Sequence, residues 1–420
     1  MSKAEVVRAA NGLGERWLEQ LDPQGGTVLM PAGVWPLLGL LAPAGSVPVQ
    51  GELAEALGLS PVAAAERARE MLGLLRGIPA VRTALGLWTN DRLRLHPEWR
   101  AGLPADVHGR LTGDAERDRK LLDAWARRET DGLIDAMPVE LTAGTRLVLA
   151  AALTVRTDWI RPFRDFGGPR ADEQAGWREP VHYLSRTTSM LDRAAVLETP
   201  AGPVTELQVY GYGDISVHLL LGEPDAPPGR VLAAGIGALS QRHRRTTVDR
   251  MPVGTPGPGL TVEWLRRYEP RDVLAVSVPK FTVEADHNLL AHRRLFGLTT
   301  LATRSETENR LPGLSDGEDG DPLFLNSARQ RATATFGRRG FRASSVTALG
   351  MAAGSAAGAY RLPPYLQRFA RVSFARPFGF LAVHRLSGLV LAAGWVTEPD
   401  PAVDPWVGLA DEWEEDSEED

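Results

Sequence analysis

The chain opens on a helical rhythm. Val6, Val7, Leu13, Trp17 and Leu21 recur at spacings near three and four, which places them on one apolar face. Ser60-Pro61 reads as a helix start, with the serine capping and the proline in the first turn. The same spacing then runs through residues 63–75 and stops near Gly77. Residues 121–130 predict another helix, with Leu122, Trp125 and Ala126 on one face and Asp131-Gly132 ending it. The second half changes period. Residues 146–155 are almost continuously apolar, as expected of a strand buried on both faces. Residues 215–221, 273–278, 333–336, 372–374, 380–383 and 389–396 read as further strands, the last preceded by the turn Leu386-Ser387-Gly388. Helices first and strands later predict an α+β fold rather than alternating βαβ units.

Composition narrows the function classes. At 420 residues and 43% hydrophobic content the chain can bury a large core, and length alone suggests more than one domain, although mixed α/β chains of this size also form one unit. The absence of cysteine removes disulfides, thiolate catalysis and cysteine-built zinc sites, and fits a reducing compartment. Residues 1–21 are charged and amphipathic, without the unbroken apolar core of a signal peptide, and the longest apolar runs are too short to span a bilayer. A cytoplasmic location is the default expectation, with an extracellular one left open. Net charge is −6, but the last ten residues hold eight acids, so the remainder carries +2 and has no basic field for nucleic acid. Residues 400–420 are expected to form an acidic tail that cannot order itself. Arginine greatly outnumbers the three lysines, Lys3, Lys120 and Lys280, which we read as the codon bias of a GC-rich, bacterial genome.

Isolated motifs carry little chemistry. Gly313-Leu314-Ser315-Asp316-Gly317 matches the G-x-S-x-G elbow of serine hydrolases, which needs a buried strand before it and a helix after it. Pro312 precedes and Gly317-Glu318-Asp319-Gly320 follows, so a surface turn is the preferred reading. Asp316, Glu318, Asp319 and Asp321 lack the spacing of a calcium loop. His287 and His292 are five apart, and the other histidines are scattered, so no metal site and no cofactor are expected. Residues 241–245 with Arg250, Arg266 and Arg267 could form a polyanion patch; a solvated, salt-linked face is the plainer reading. Trp125 and Trp159 are read as core, and Gly211 and Gly213 as a turn.

The C-terminal strands carry a longer pattern. Phe374-Ala375-Arg376-Pro377-Phe378-Gly379-Phe380, then Ser387-Gly388 and Gly394-Trp395-Val396-Thr397-Glu398-Pro399, resembles the closing signature of the serpin family, F-x-x-x-x-PF-x-F followed by G-x-V-x-x-P. Leu122-Asp123-Ala124-Trp125 with Thr130-Asp131-Gly132-Leu133-Ile134 is similar to the family's I-N-x-W-V-x-x-x-T-N-G-x-I. Residues 147–163, ending Trp159-Ile160-Arg161-Pro162-Phe163, resemble its central strand and W-x-x-P-F. Pro279-Lys280-Phe281, with Leu289, Leu290, Leu295 and Gly297, resembles its P-K-F segment. Gly313-Leu314-Ser315 and Pro322-Leu323-Phe324-Leu325 resemble the stretch before its reactive loop. The fragments occur in family order, and the resemblance implies one serpin domain over residues 5–399 with three β-sheets, about nine helices and an exposed reactive-centre loop.

The resemblance implies a suicide inhibitor of a serine or cysteine endopeptidase: not an enzyme, and expected to be a monomer with no cofactor, its partner a target protease. The loop hinge maps onto Gly340, Phe341, Arg342, Ala343, Ser344, Ser345, Val346 and Thr347, where the family has E-G-T-E-A-A-A-A. In the family's register Phe341, Ala343, Ser345 and Thr347 face the core, and Phe341 stands where a small polar residue is usual. Such a change in a packed layer typically costs about 1–3 kcal/mol, so slow insertion on cleavage is expected. Counting from Gly340 puts the scissile bond at Gly354-Ser355; Tyr360 and Arg361 suit a protease better but lie too far along, because the segment is about a dozen residues longer than the family's. Residues 351–359 should be exposed. The family's I-S-P-x-S corresponds to Leu29-Met30-Pro31-Ala32-Gly33, its strand asparagine to Ala151 and its histidine to Gln330, so a buried polar network is replaced together. The rival reading is a binding or structural protein that keeps this fold without inhibiting.

Overall fold

The apolar run Leu147–Val155 forms the strand around which the chain is arranged, and all of its residues are buried. Its period of two serves two cores. Leu147, Leu149, Ala151, Leu153 and Val155 face the main one, while Val148, Ala150 and Ala152 face a smaller one beneath the helix Ala115–Glu129. The computed structural model describes residues 3–21, 25–142, 144–165, 176–177, 179–316, 322–342 and 363–402.

Three sheets and seven α-helices are present among the described residues, against the nine or so helices implied by the resemblance. The helices are Lys3–Glu19, Pro31–Leu41, Val47–Leu57, Pro61–Arg76, Pro97–Ala101, Ala115–Glu129 and Pro228–Leu239. Ser60 precedes Pro61 as expected, but its side chain makes no capping bond. Asp114, not picked out from the sequence, caps the helix Ala115–Glu129 by accepting from the backbone N–H groups of Glu116 and Arg117, so that helix starts six residues earlier than the apolar spacing indicated.

In the central sheet, His108–Leu111, Val81–Asn90, Leu147–Val155 and Ser327–Phe336 lie side by side. Phe281–Asn288 runs along the other edge of Ser327–Phe336. The neighbours Leu147–Val155 and Ser327–Phe336 are parallel and pair only over residues 148–152 and 327–331. The buried helix Pro31–Leu41 packs against this sheet's inner face. A second sheet, all antiparallel, contains Ile215–Leu221, Phe378–His384 and Leu389–Val396, each buried along its whole length. Phe378 and Phe380 from it meet Phe281 of the central sheet at ring distances of 5.6 and 5.2 Å, which fixes the two sheets to each other.

The third sheet runs Gly254–Gly257, Leu260–Arg267, Tyr365–Ser373, Val273–Pro279, Tyr183–Thr188, Arg164–Asp165. The alternation of Leu260 and Val262 with Thr261 and Glu263 is a strand pattern not singled out from the sequence. It builds a hairpin that pairs along Tyr365–Ser373 over eight residues, while Val273–Pro279 pairs with the opposite edge over five. At the C-terminal end, Lys280 Nζ lies 2.9 Å from Asp400 and the backbone N–H of Ala402 donates to Pro180 O. The tail expected from residue 400 therefore starts no earlier than 403; residues 403–420 lie outside the described residues. Among the described residues, no helix is long and apolar enough to cross a membrane.

Candidate functional site: a hinge seated in the central sheet

Beyond residue 331 the two parallel strands of the central sheet diverge, and the gap between them is occupied. Ser327–Phe336 turns at residues 337–339 and returns as the short strand Gly340–Arg342, which pairs with Thr335 and Phe336 on one side and with Thr157–Asp158 on the other. Glycine is required at 340, because a Cβ there would collide with the Thr157 carbonyl oxygen and lie 3.0 Å from Asp158 Cα. Phe341 is 1% exposed, and its ring sits 5.9 Å from that of Phe380. This revises the expected order of events: Phe341 does not wait outside for cleavage but is packed in the sheet of the intact chain. The site is sized for an aromatic ring, so the misfit expected from a threonine-sized position does not arise. Burying this ring contributes about 1.5–3 kcal/mol to holding the hinge in place.

The turn before the hinge is held by residues 159–165. The Trp159 indole N–H donates to Gly337 O at 2.9 Å, and the backbone N–H groups of Trp159 and Phe163 donate to Arg339 O and Arg338 O. Trp159 also lies against Phe336, with ring centroids 4.9 Å apart. Arg338 pairs with Asp165 at 2.8 Å, and His182 approaches the same carboxylate at 3.0 Å. Burial alone would raise the Asp165 pKa, but hydrogen bonds from Arg338 and His182 and their charges hold it below the ordinary carboxylate value. Trp159 was legible as core; its bond to the turn was not.

At the other end of the gap stands the replaced polar network. Gln330 is 1% exposed, pairs in register with Ala151, and reaches the first turn of the helix Pro31–Leu41. Its Oε1 accepts from Met30 N at 2.9 Å and its Nε2 donates to Met30 O at 2.8 Å. One side chain therefore satisfies both backbone groups at a buried helix entrance. A Cβ at the neighbouring Gly33 would lie in ordinary contact with Gln330 Nε2, at 3.9 Å, and more tightly against Leu85 Cδ2, at 3.3 Å.

The other candidates resolve as structural. Ser315 is fully buried and bridges to Leu95, which corrects the expectation of a surface turn; a turn rather than a strand precedes it, so no nucleophile elbow forms. Asp316 is exposed beside His96, and Glu318, Asp319 and Asp321 lie outside the described residues. No group of metal-binding side chains occurs among the described residues. His287 bonds to Val28 O. In the polyanion patch Arg242, Arg244 and Arg245 are paired with Glu15, Glu198 and Glu206. One network was missed. Ser216 Oγ lies 3.0 Å from His218 Nε2, His218 Nδ1 lies 2.7 Å from Glu206, and Arg245 closes the row on Glu206 at 2.6 Å. Ser216 is 1% exposed between two strands, so no substrate can reach it and the row braces the sheet. Its members come from three strands and share no sequence motif.

Of the mapped loop, Gly340, Phe341 and the backbone of Arg342 are described. Residues 343–347, Gly354, Ser355, Tyr360 and Arg361 and the stretch 351–359 lie outside the described residues.

The comparisons agree with this geometry. The model of the family described as serpin (serine protease inhibitor) matches residues 15–166. The putative serpin-Z6C of Oryza sativa subsp. japonica is 25% identical over 349 residues, covering 77% of this chain and 76% of that one. Plasminogen activator inhibitor 1 of Neovison vison is 25% identical over 293 residues, covering 68% and 63%. The crystal structure of native protease nexin-1 with heparin superposes with a TM-score of 0.68 at 15% identity, covering 95% of this chain and all of that one. Plant and mammalian relatives give no support to a bacterial source. By its three sheets and its structural likeness along nearly the whole chain this protein has the serpin fold, and residues 15–166 are similar to the serpin family.

Proposed function

We propose that the chain is a suicide-substrate inhibitor of a serine or cysteine endopeptidase. The protease attacks the loop that follows Gly340–Arg342 and forms an acyl-enzyme. The released strand then continues into the central sheet and displaces the protease before deacylation. The observation that carries this reading is the wedge at Gly340–Arg342, which already occupies the first rungs between two parallel strands whose remaining contact spans five residue pairs. Insertion breaks that one ladder and forms two. Residues 5–402 act as one unit in this scheme, and the loop serves as substrate while the chemistry belongs to the protease.

A second reading, a binding or structural protein that does not inhibit, is favoured by Gln330, which fixes Ser327–Phe336 to the helix beneath it and resists parting of the sheet. Incubation with a panel of serine and cysteine proteases separates the two. Inhibition gives a covalent complex that survives hot detergent, together with a cleaved form that melts well above the intact one. Cleavage without complex and without added stability leaves the second reading standing.

A further inference from the structure

The third sheet carries a concave face with an unusual charge. Its floor is made of small side chains in register: Thr187 is level with Ala275, and Ser185 with Ser277. Small residues on a sheet face leave a hollow, here a cavity of about 500 Å³. Arg161, Arg164, Arg186 and Arg371 line it, and no acidic residue does so among the described residues. Nor, among the described residues, does any of the four form an ion pair. The acid next to Arg164 in sequence, Asp165, is already engaged by Arg338 and His182.

Arg186 shows the strain of this arrangement. Its guanidinium lies over the Phe163 ring at 4.5 Å, which fixes its plane. Among the described residues its one acceptor is Arg161 O at 2.7 Å, and its Nε–H is buried with no partner. A guanidinium offers five N–H donors, so most of its capacity is unused. Burial, then the charges of Arg161 and Arg193, lower its pKa to about 10. Grouped like charges around a hollow are costly to hold together unless an anion offsets them.

We propose that this cavity binds a small multivalent oxyanion, a molecule bearing several phosphate or sulfate groups. The volume lies within the range of small-molecule sites, and fork-shaped guanidinium donors match tetrahedral oxyanions. The floor hydroxyls of Ser185, Thr187 and Ser277 add neutral donors. Arg371 stands on Tyr365–Ser373 and Arg164 on the outermost strand, so one ligand spans four strands of the sheet.

Titration calorimetry on the full chain at low salt tests this with two probes, tripolyphosphate and sucrose octasulfate. At least one should bind one to one, and the pattern between them separates a phosphate from a sulfate source. Arg186→Gln and, at the rim, Arg371→Gln should each weaken binding at least about tenfold, as loss of a charge-assisted contact does. The double variant Arg266→Gln/Arg267→Gln, on the same sheet outside the cavity, should bind as the native chain does. Melting curves of each variant establish that it is folded, and the probe should raise the melting temperature of the native chain. Absence of binding by both probes overturns the proposal. So does binding that the Arg266/Arg267 variant loses as fully as the cavity variants, which would indicate diffuse surface attraction.

Discussion

Gln330 and Met30 are joined by two buried hydrogen bonds, one in each direction, that tie the strand Ser327–Phe336 to the entrance of the helix Pro31–Leu41. Gln330 faces Ala151 across the parallel ladder, and Ala151 has no polar group with which to reply. The strand Ser327–Phe336 therefore has a polar tie to the helix and only backbone ladder bonds to Leu147–Val155. The sheet is fastened more firmly on one side of its parting line than on the other.

Gln330→Ala should leave the Met30 N–H without a partner in a dry interior, while Met30 O keeps its bond from the Gly33 N–H. The expected cost is about 1–3 kcal/mol for the donor left unpaired, read as a lower urea midpoint with an unchanged slope. A midpoint equal to that of the native chain would mean that water replaces the amide and that the tie contributes nothing.

Phe341→Ala probes when the hinge becomes buried. Because Phe341 is packed before any cleavage, truncation should destabilise intact and loop-cleaved protein alike, each by about 3–5 kcal/mol. Melting temperatures of both forms check this. A loss confined to the cleaved form would mean that the ring enters the sheet only after cleavage.

Gly340→Ala should push the strand Gly340–Arg342 off Thr157, since the added methyl has no room. Hydrogen exchange of peptides covering residues 333–342 should speed up, while the strand Leu389–Val396 remains as protected as before. Unchanged exchange at 333–342 would show that the backbone there adjusts.

Acid titration should expose the Ser216–His218–Glu206–Arg245 row. Burial alone would raise the Glu206 pKa, but the hydrogen bond and charge of His218 and the charge and hydrogen bond of Arg245 bring it down to about 2. A depressed carboxylate stabilises the fold above its unfolded value of about 4.3. That stability is lost as pH falls from there through about 2. Glu206→Gln should be less stable than the native chain at neutral pH, and the difference should shrink across that window. A difference in melting temperature that stays constant with pH would remove the assignment.

How much of this was legible varies with the range of the interaction. Leu147–Val155, Ile215–Leu221 and Leu389–Val396 could be read within a residue, because a strand buried on both faces is mostly apolar, with Thr154, Ser216 and His218 the polar members here. Family order singled out Gly340 as the expected hinge, but not the seating of Gly340–Arg342, which depends on Thr157 and Phe380 brought in from distant parts of the chain. Gln330 could be marked as a replacement, whereas its partners are backbone atoms that no side-chain pattern encodes. Arg161, Arg186 and Arg371 are distant in sequence, and only the register of the third sheet assembles them around one hollow.

The hairpin beside Tyr365–Ser373 changes what the uncut chain is able to do. A loop still attached at both ends can enter the central sheet only by dragging its trailing strand out of place. Here that strand is an inner one, zipped to a neighbour on each edge, so withdrawing it means tearing two seams at once. A cut after the hinge frees the leading end and leaves both seams closed. On the inhibitory reading proposed above, those two seams are the catch that holds the uncut chain armed and that a cut after the hinge would bypass.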